Sequence, residues 1–557
     1  MTVAIALLLA ASAARSTATP PSSVERIRQA AAEVSQERIR QDAVVLASDA
    51  FEGRAPGTSG GERAAGYLGE RLSEVGVEPL EPGGSYEWPV PLVSERPLAG
   101  CRLELTSLGA RSPLALGSDY VLATTGAQTW LPRWTPIVFV GYGIVAPEYD
   151  YNDYADVDVA GRVVAFVEGE PRSSDRDWFA ADVDTVYAAF ETKRRIAVSR
   201  GAVGSILIPR EGREDGGGAW VQRLRDYAFD HVTLAYDVPS HLSLVLRPDH
   251  GEDLFSDALY DFAEVLRMDR EGSMRSFHLP VMIRFEGEFR SRNLLSPNLV
   301  GVLRGSDPRL APTYVALVAH YDHLGRGPAV DGDDIYNGLV DNGLGVAGVL
   351  EIARVLADPR FRPRRSVLVI LTTAEESGAL GSRYLLDHLP VAYDRLVAAI
   401  NVDGLAFLDL FDDVWPVGGE LSSLGRAVGE AAETLGFRTS PPPSEAWNAE
   451  AFARSDQVSF ADAGVPAILV SEGFSWRSGN RATALERAMR WMATRYHTVF
   501  DDADQPLRFD ATRDHAAVVL ATVMTVADDP RPPAWKPGIA FAYQRLLRLA
   551  DEEQKGR

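Results

Sequence analysis

Val315-Ala316-Leu317-Val318-Ala319-His320-Tyr321-Asp322-His323-Leu324-Gly325 begins as five consecutive apolar residues and stops at His-Tyr-Asp-His. Together with Tyr314, the run reads as a strand covered on both faces, the kind found in parallel sheets. Buried strands rarely end in three ionisable residues unless something charged sits beyond them. Runs of the same type recur at Ser366–Thr372, Leu396–Val402 and Ala467–Val470. They alternate with helical patterns at Gly345–Ala357, Ala379–Leu389 and Leu421–Leu435. That alternation predicts an α/β fold whose mixed, largely parallel central sheet is sandwiched by helices.

In open α/β sheets, ligands bind beyond the carboxyl ends of the strands. His320 ends the first run, Glu375-Glu376 follow the second, and Asp403 follows the third. Asp341 lies on a loop just before the helix at Gly345, and His497 on a loop after a helical segment. Imidazole and carboxylate both suit Zn²⁺. Asp322, two residues after His320, is placed to accept the other imidazole N–H and fix the tautomer. Two adjacent glutamates can divide the work, one ligating metal and one acting as general base. A carboxylate such as Asp341 can bridge two ions about 3.5–4 Å apart. Each residue alone has a plainer reading: a hydrogen-bonded structural histidine, a Glu pair complementing a helix dipole, a turn at Asp341-Asn342-Gly343. The set as a whole points to a two-metal hydrolytic site.

At 557 residues the chain exceeds one compact core, so two or more domains are expected. The formal charge of -22 argues against nucleic acid or an anionic membrane as partner. Cys101 is the only cysteine, which rules out an intrachain disulfide; it reads as a half-buried bystander in a strand-like stretch. Val3 to Ala14 is apolar but too short to span a bilayer, and matches the apolar core of a signal peptide without a basic leader region. Ala11-Ser12-Ala13 or Ser12-Ala13-Ala14 offers the small-residue cleavage site, so export to a periplasmic or extracellular space is expected.

The expected divisions are a signal peptide and linker over 1–23 and an N-terminal, largely helical part of the main domain over 24–98. A β-rich insert over 99–289, the main domain over 290–545 and a charged C-terminal tail over 546–557 complete them. One helix, around Ala188 to Arg200, interrupts the strands of the insert. His231, His241, His250, His278, His388 and His515 read as structural or surface residues.

Six segments, in order, carry a family resemblance: Ala319 to Gly325, Tyr336 to Gly343, Thr373 to Ser382, Asn401 to Gly404, Ser455-Asp456-Gln457 with Ala463 to Ala467, and Tyr496-His497-Thr498. The chain resembles the cocatalytic dizinc exopeptidases that include secreted bacterial leucyl aminopeptidases, aminopeptidase Y and glutamate carboxypeptidase. Leu46 to Arg54 resembles the family's N-terminal portion, and residues 99–289 resemble a protease-associated domain. The resemblance implies a zinc-exopeptidase sandwich and two Zn²⁺ per chain, with Mn²⁺ or Co²⁺ as substitutes. His320 and Asp403 would bind one ion, Glu376 and His497 the other, and Asp341 both. Glu375 would be the general base, Asp322 would orient His320, and the Asp341–Asn342 peptide would be cis. His323 receives no ligand role.

The chain departs from the family at two places. Leu339-Val340-Asp341-Asn342-Gly343-Leu344-Gly345 stands where many members have Ala-Asp-Asp-Asn-Ala-Ser-Gly, and Gln457 where His is common. The segment from Gly473 to Arg495 is longer than expected and could overhang the site with Phe474, Trp476 and Trp491, or be a surface helix. The expected activity is hydrolysis of an N-terminal peptide bond in a peptide or small aminoacyl substrate. The alternatives are a carboxypeptidase, which would need an arginine or lysine cluster at the site (Arg454, Arg477 and Arg495 are candidates), a glutaminyl cyclase, or a binding module on the same scaffold. The last should have lost ligands that this chain keeps. Oligomeric state is left open.

Overall fold

The computed structural model describes residues 22–555 except 125, 127–128, 173–177, 180–184, 186, 211–217, 238–240 and 443–450. The expected signal peptide therefore lies outside the described residues. Among those described, no helix is long and apolar enough to cross a membrane.

The strand Tyr314–His320 is buried at every position. Val315, Leu317 and Ala319 point into one core, while Tyr314, Ala316 and Val318 point into another. Ser366–Thr372 divides the same way, with Val367, Val369 and Leu371 on one side and Leu368 and Ile370 on the other. A side-chain period of two feeding two apolar layers explains the continuous apolar runs. Each fully buried aliphatic side chain contributes roughly 1.5–3 kcal/mol.

These two strands pair in parallel, and Tyr314–His320 also pairs in parallel with Leu396–Asn401, which pairs with Ala467–Glu472. Antiparallel neighbours flank this quartet: Phe289–Leu303 beside Ser366–Thr372, and Asp413–Val417 beside Ala467–Glu472. The whole is a mixed α/β sheet of ten strands among the described residues. Helices Gln36–Leu46, Gly345–Ala357 and Phe509–Asp528 line one face. Leu380–Asp387 and Gln457–Asp462 line the other.

The N-terminal helices start where their caps predict. Ser22, Ser35 and Thr58 accept from the backbone N–H groups of Glu25, Arg38 and Gly61.

Within 99–289 a second sheet runs from Arg102–Ser107 to Ser276–Glu286, with eight strands among the described residues and an apolar core on each face. One strand inside that span behaves differently. His231–Leu234 leaves the second sheet and pairs with Glu87–Pro97 at the edge of the large one. The expected 545/546 boundary falls inside the single helix Ala540–Lys555. Its Arg545 and Arg548 donate to the carbonyls of Leu396 and Leu386, so this end docks on the body.

Candidate metal centre

His320, Asp341, Glu375, Glu376, Asp403 and His497 come together at the carboxyl ends of the parallel strands. His320 Nε2 lies 3.1 Å from Asp403 Oδ1 and 3.4 Å from Asp341 Oδ1. His497 Nε2 lies 3.1 Å from Asp341 Oδ2 and 3.0 Å from Glu376 Oε2. The two oxygens of Asp341 thus face two different imidazoles. Two groups of side chains can each hold a metal ion, His320–Asp341–Asp403 and His323–Asp341–Glu376, with Asp341 in both.

Asp341 is held from several directions. Its backbone N–H and that of Val340 donate to buried Asp501 at 3.0–3.1 Å, and the Asp341–Asn342 peptide is cis. Asn342 donates to Val402 O at 2.9 Å and accepts from Gly404 N at 2.8 Å, clamping the residues on either side of Asp403. Asp501 also accepts from Gln505, which accepts from the Trp491 indole at 2.8 Å. Trp491, buried in the helix Arg481–Thr494, therefore supports the site from below.

Asp322 does something the sequence did not predict. His320 Nδ1 lies 3.2 Å from the Asp322 carbonyl, but 3.8 Å from its carboxylate. The carboxylate instead accepts the backbone N–H groups of Glu375 and Glu376 at 3.1 and 3.4 Å, fixing the turn that carries both glutamates. Burial pushes this carboxyl up to about 7, against the pull of His320.

The second surprise is His323. Its ring is fully buried, Nδ1 lies 2.6 Å from Glu376 Oε1, and its centroid is 5.7 Å from that of His497. Glu376 thus has an imidazole on each oxygen, and these hold its carboxyl at about 2 although burial and Asp341 push it up. Space for the His323 ring depends on Gly338, whose φ is +60° and whose substitution would put a Cβ 2.5 Å from that ring.

Arg54, like His323, was left without a role by the sequence. Its guanidinium, fully buried, donates to the carbonyls of Tyr321, Leu46, Asn337, Gly338 and Asp341. Burial lowers it to about 10, while Asp341, Asp501, Asp322 and Glu376 pull the other way.

Burial opposes charge on His320 and His497, yet Asp403 and Glu375 around the first and Glu376 and Asp341 around the second hold both well above an ordinary imidazole. Glu375 is raised well above an ordinary carboxyl by burial and by Asp403, Glu376 and Asp456, although His320 pulls it down. The field at this strand end favours cations.

Several other polar residues around the cluster have structural partners. Tyr321 and Tyr336 donate their hydroxyls to Pro297 O and Pro328 O, while Tyr496 stacks on the His497 ring at 3.8 Å. Gln457 accepts from Asn401 and donates to Phe452 O. Arg477 pairs with Asp412, and Arg495 donates to Phe500 O.

Residues 298–523 match the model of peptidase family M28. A vacuolar membrane protease of Schizosaccharomyces japonicus is 30% identical over 169 residues, 30% of this chain and 17% of that protein. A probable leucine aminopeptidase 2 of Aspergillus oryzae is 33% identical over 118 residues, 21% of each. The chain thus spans about a fifth of the length of these two curated relatives. The solved aminopeptidase from Aneurinibacillus sp. strain AM-1 superposes with a TM-score of 0.54 at 18% identity, over 90% of this chain and 96% of that one, a likeness of fold. Residues 298–523 of this chain, under half of its length, are thus similar to peptidase family M28.

Proposed function

We propose that the chain is a dizinc aminopeptidase that hydrolyses the N-terminal peptide bond of its substrate. The observation that carries this reading is the Asp341 carboxylate, with one oxygen facing His320 and the other His497. The donor set fits two zinc ions: imidazole and carboxylate oxygen are both good zinc ligands, and the carboxylates outnumber the histidines. His320 and Asp403 would hold one ion, Glu376 Oε2 and His497 the other, and Asp341 both. Zinc held there supplies Lewis acidity to the scissile carbonyl and lowers the pKa of water at the site.

The chain's own residues do the rest. Glu375, whose Oε2 lies 3.9 Å from His320 Nε2, takes a proton from the attacking water. The water oxygen joins the carbonyl carbon, the C–N bond breaks, and Glu375 returns the proton to the leaving amine. Asp322 holds the Glu375–Glu376 turn, and His323 holds the Glu376 oxygen that faces away from His497. Residues 99–289 act as a protease-associated-like insert, a reading supported by their separate sheet.

The test is release of p-nitroaniline from leucine p-nitroanilide. Chelation abolishes the rate and zinc restores it. Glu375→Gln lowers kcat by about 10²–10⁴-fold while two metal ions per chain still bind. Chelator-resistant turnover, or full activity in the metal-loaded variant, overturns the reading.

A further inference from the structure

A cleft of about 590 Å³ opens beside Glu376, Ser377 and His323. The insert lines it through Leu116, Val121–Ala123, Leu224 and Tyr227–Asp230, and Arg96 and Arg292 line it as well. These two arginines lie on neighbouring antiparallel strands, Glu87–Pro97 and Phe289–Leu303, where Ser94 pairs with Arg292. Both guanidiniums bind one carboxylate, that of Asp230, which also accepts from Ser94 Oγ at 2.6 Å. Two cations on one anion leave a formal charge of about +1. Both arginines remain 41–49% exposed, so further donors face the cleft, whereas Asp230 is 16% exposed. Arg326, which also lines the cleft, is paired one-to-one with Asp334. In a chain of net charge -22, a cationic spot inside the cleft is a local reversal of sign.

The spacing indicates what would reach it. Ser296 Oγ lies 2.6 Å from Thr373 Oγ1, two residues before Glu375. Arg292 lies four steps before Ser296 on the same strand, about 13 Å of extended chain. An extended peptide covers about 3.3–3.6 Å per residue, so three or four residues with their amino end at the metal centre bring a terminal carboxylate to this spot.

Resting on the aminopeptidase reading, we infer that Arg96 and Arg292 form a subsite for a carboxylate on the leaving side of the substrate, so that short anionic peptides are preferred. The carboxylate comes either from the C-terminus of a tri- or tetrapeptide or from an acidic side chain of a longer one. A carboxylate next to the scissile bond, as in a carboxypeptidase substrate, falls short of the pair.

The experiment uses the zinc-loaded full chain. It compares kcat/KM for leucyl tripeptides and tetrapeptides with free carboxyl termini, their C-terminal amides, and amidated leucyl pentapeptides with Glu or Gln at the third position. A free carboxylate, or Glu over Gln, gains about tenfold, the lower end for a charge-assisted contact at a half-exposed site. Arg292→Met and, separately, Arg96→Met bring the acid-to-amide ratio close to one, each leaving Asp230 a guanidinium partner. Arg292→Glu turns the preference toward the amide. Which acidic arm gains identifies the source of the carboxylate. Equal rates on every acid and amide, with leucine p-nitroanilide still cleaved, overturn the subsite. Loss of p-nitroanilide cleavage in the zinc-loaded wild type overturns the aminopeptidase reading instead.

Discussion

Arg54 sits beneath four carboxylates, yet all its described hydrogen bonds go to backbone carbonyls. It therefore ties together three segments, those of Leu46, of Tyr321 beside His320, and of Asn337 to Asp341, and adds positive potential near them. Arg54→Met leaves these buried acceptors short of a donor and lowers stability by about 3 kcal/mol or more, read as a lower urea midpoint. Arg54→Lys keeps the charge but loses the planar fork and recovers only part of the loss. His323 acts first on Glu376, 2.6 Å from its Nδ1, and more weakly on Asp341, 3.9 Å away. His323→Leu weakens zinc binding by about 10–100-fold, as measured by titration with a competing chelator, while the fold signal by circular dichroism is retained. An unchanged affinity would show that Glu376 needs no such partner.

At the level of elements, the helix Phe509–Asp528 is joined to the sheet through a buried histidine. His515 accepts from Ala406 N at 3.0 Å and donates to Val470 O at 3.1 Å, linking the helix to chain that follows one central strand and to another strand itself. Burial holds this imidazole down to about 4, against an ordinary value near 6.5. The folded state keeps His515 neutral, while the unfolded chain takes up a proton below 6.5. Its contribution is complete above pH 6.5 and is lost as pH falls toward 4, by about 3 kcal/mol. Urea midpoints measured between pH 7.5 and pH 4.5 should fall in the wild type and fall less in His515→Gln.

The strands were legible in the sequence because alternate residues of Tyr314–His320 feed two apolar layers, which leaves no room for polar breaks. The cluster of His320, Asp341, Glu375, Glu376, Asp403 and His497 was legible because strand ends in a parallel sheet converge. What stayed hidden depends on contacts between distant segments. Arg54 reaches carbonyls 267–287 residues away. Spacing shows neither that His323 turns inward to Glu376, nor that the Asp322 carboxylate lies nearer the backbone of Glu375 than His320.

On the scale of the whole molecule, the large sheet carries the histidine–carboxylate cluster and the insert lines the cleft beside it, so on the proposed reading substrate length is read between two separately cored units. The two units also share a strand. His231–Leu234 pairs antiparallel with Glu87–Pro97, from His231 opposite Glu95 to Leu234 opposite Leu92. Removing residues 99–289 as a block would strip the outermost strand from that edge and leave a row of N–H and C=O groups with no partner. Such an edge templates pairing with other chains. The shortened protein should form concentration-dependent multimers by light scattering at concentrations where the intact chain shows no such growth; a monodisperse species of unchanged size would contradict this. On that outcome the insert, by pairing with Leu92–Glu95, would also shield the body of the large sheet from self-association.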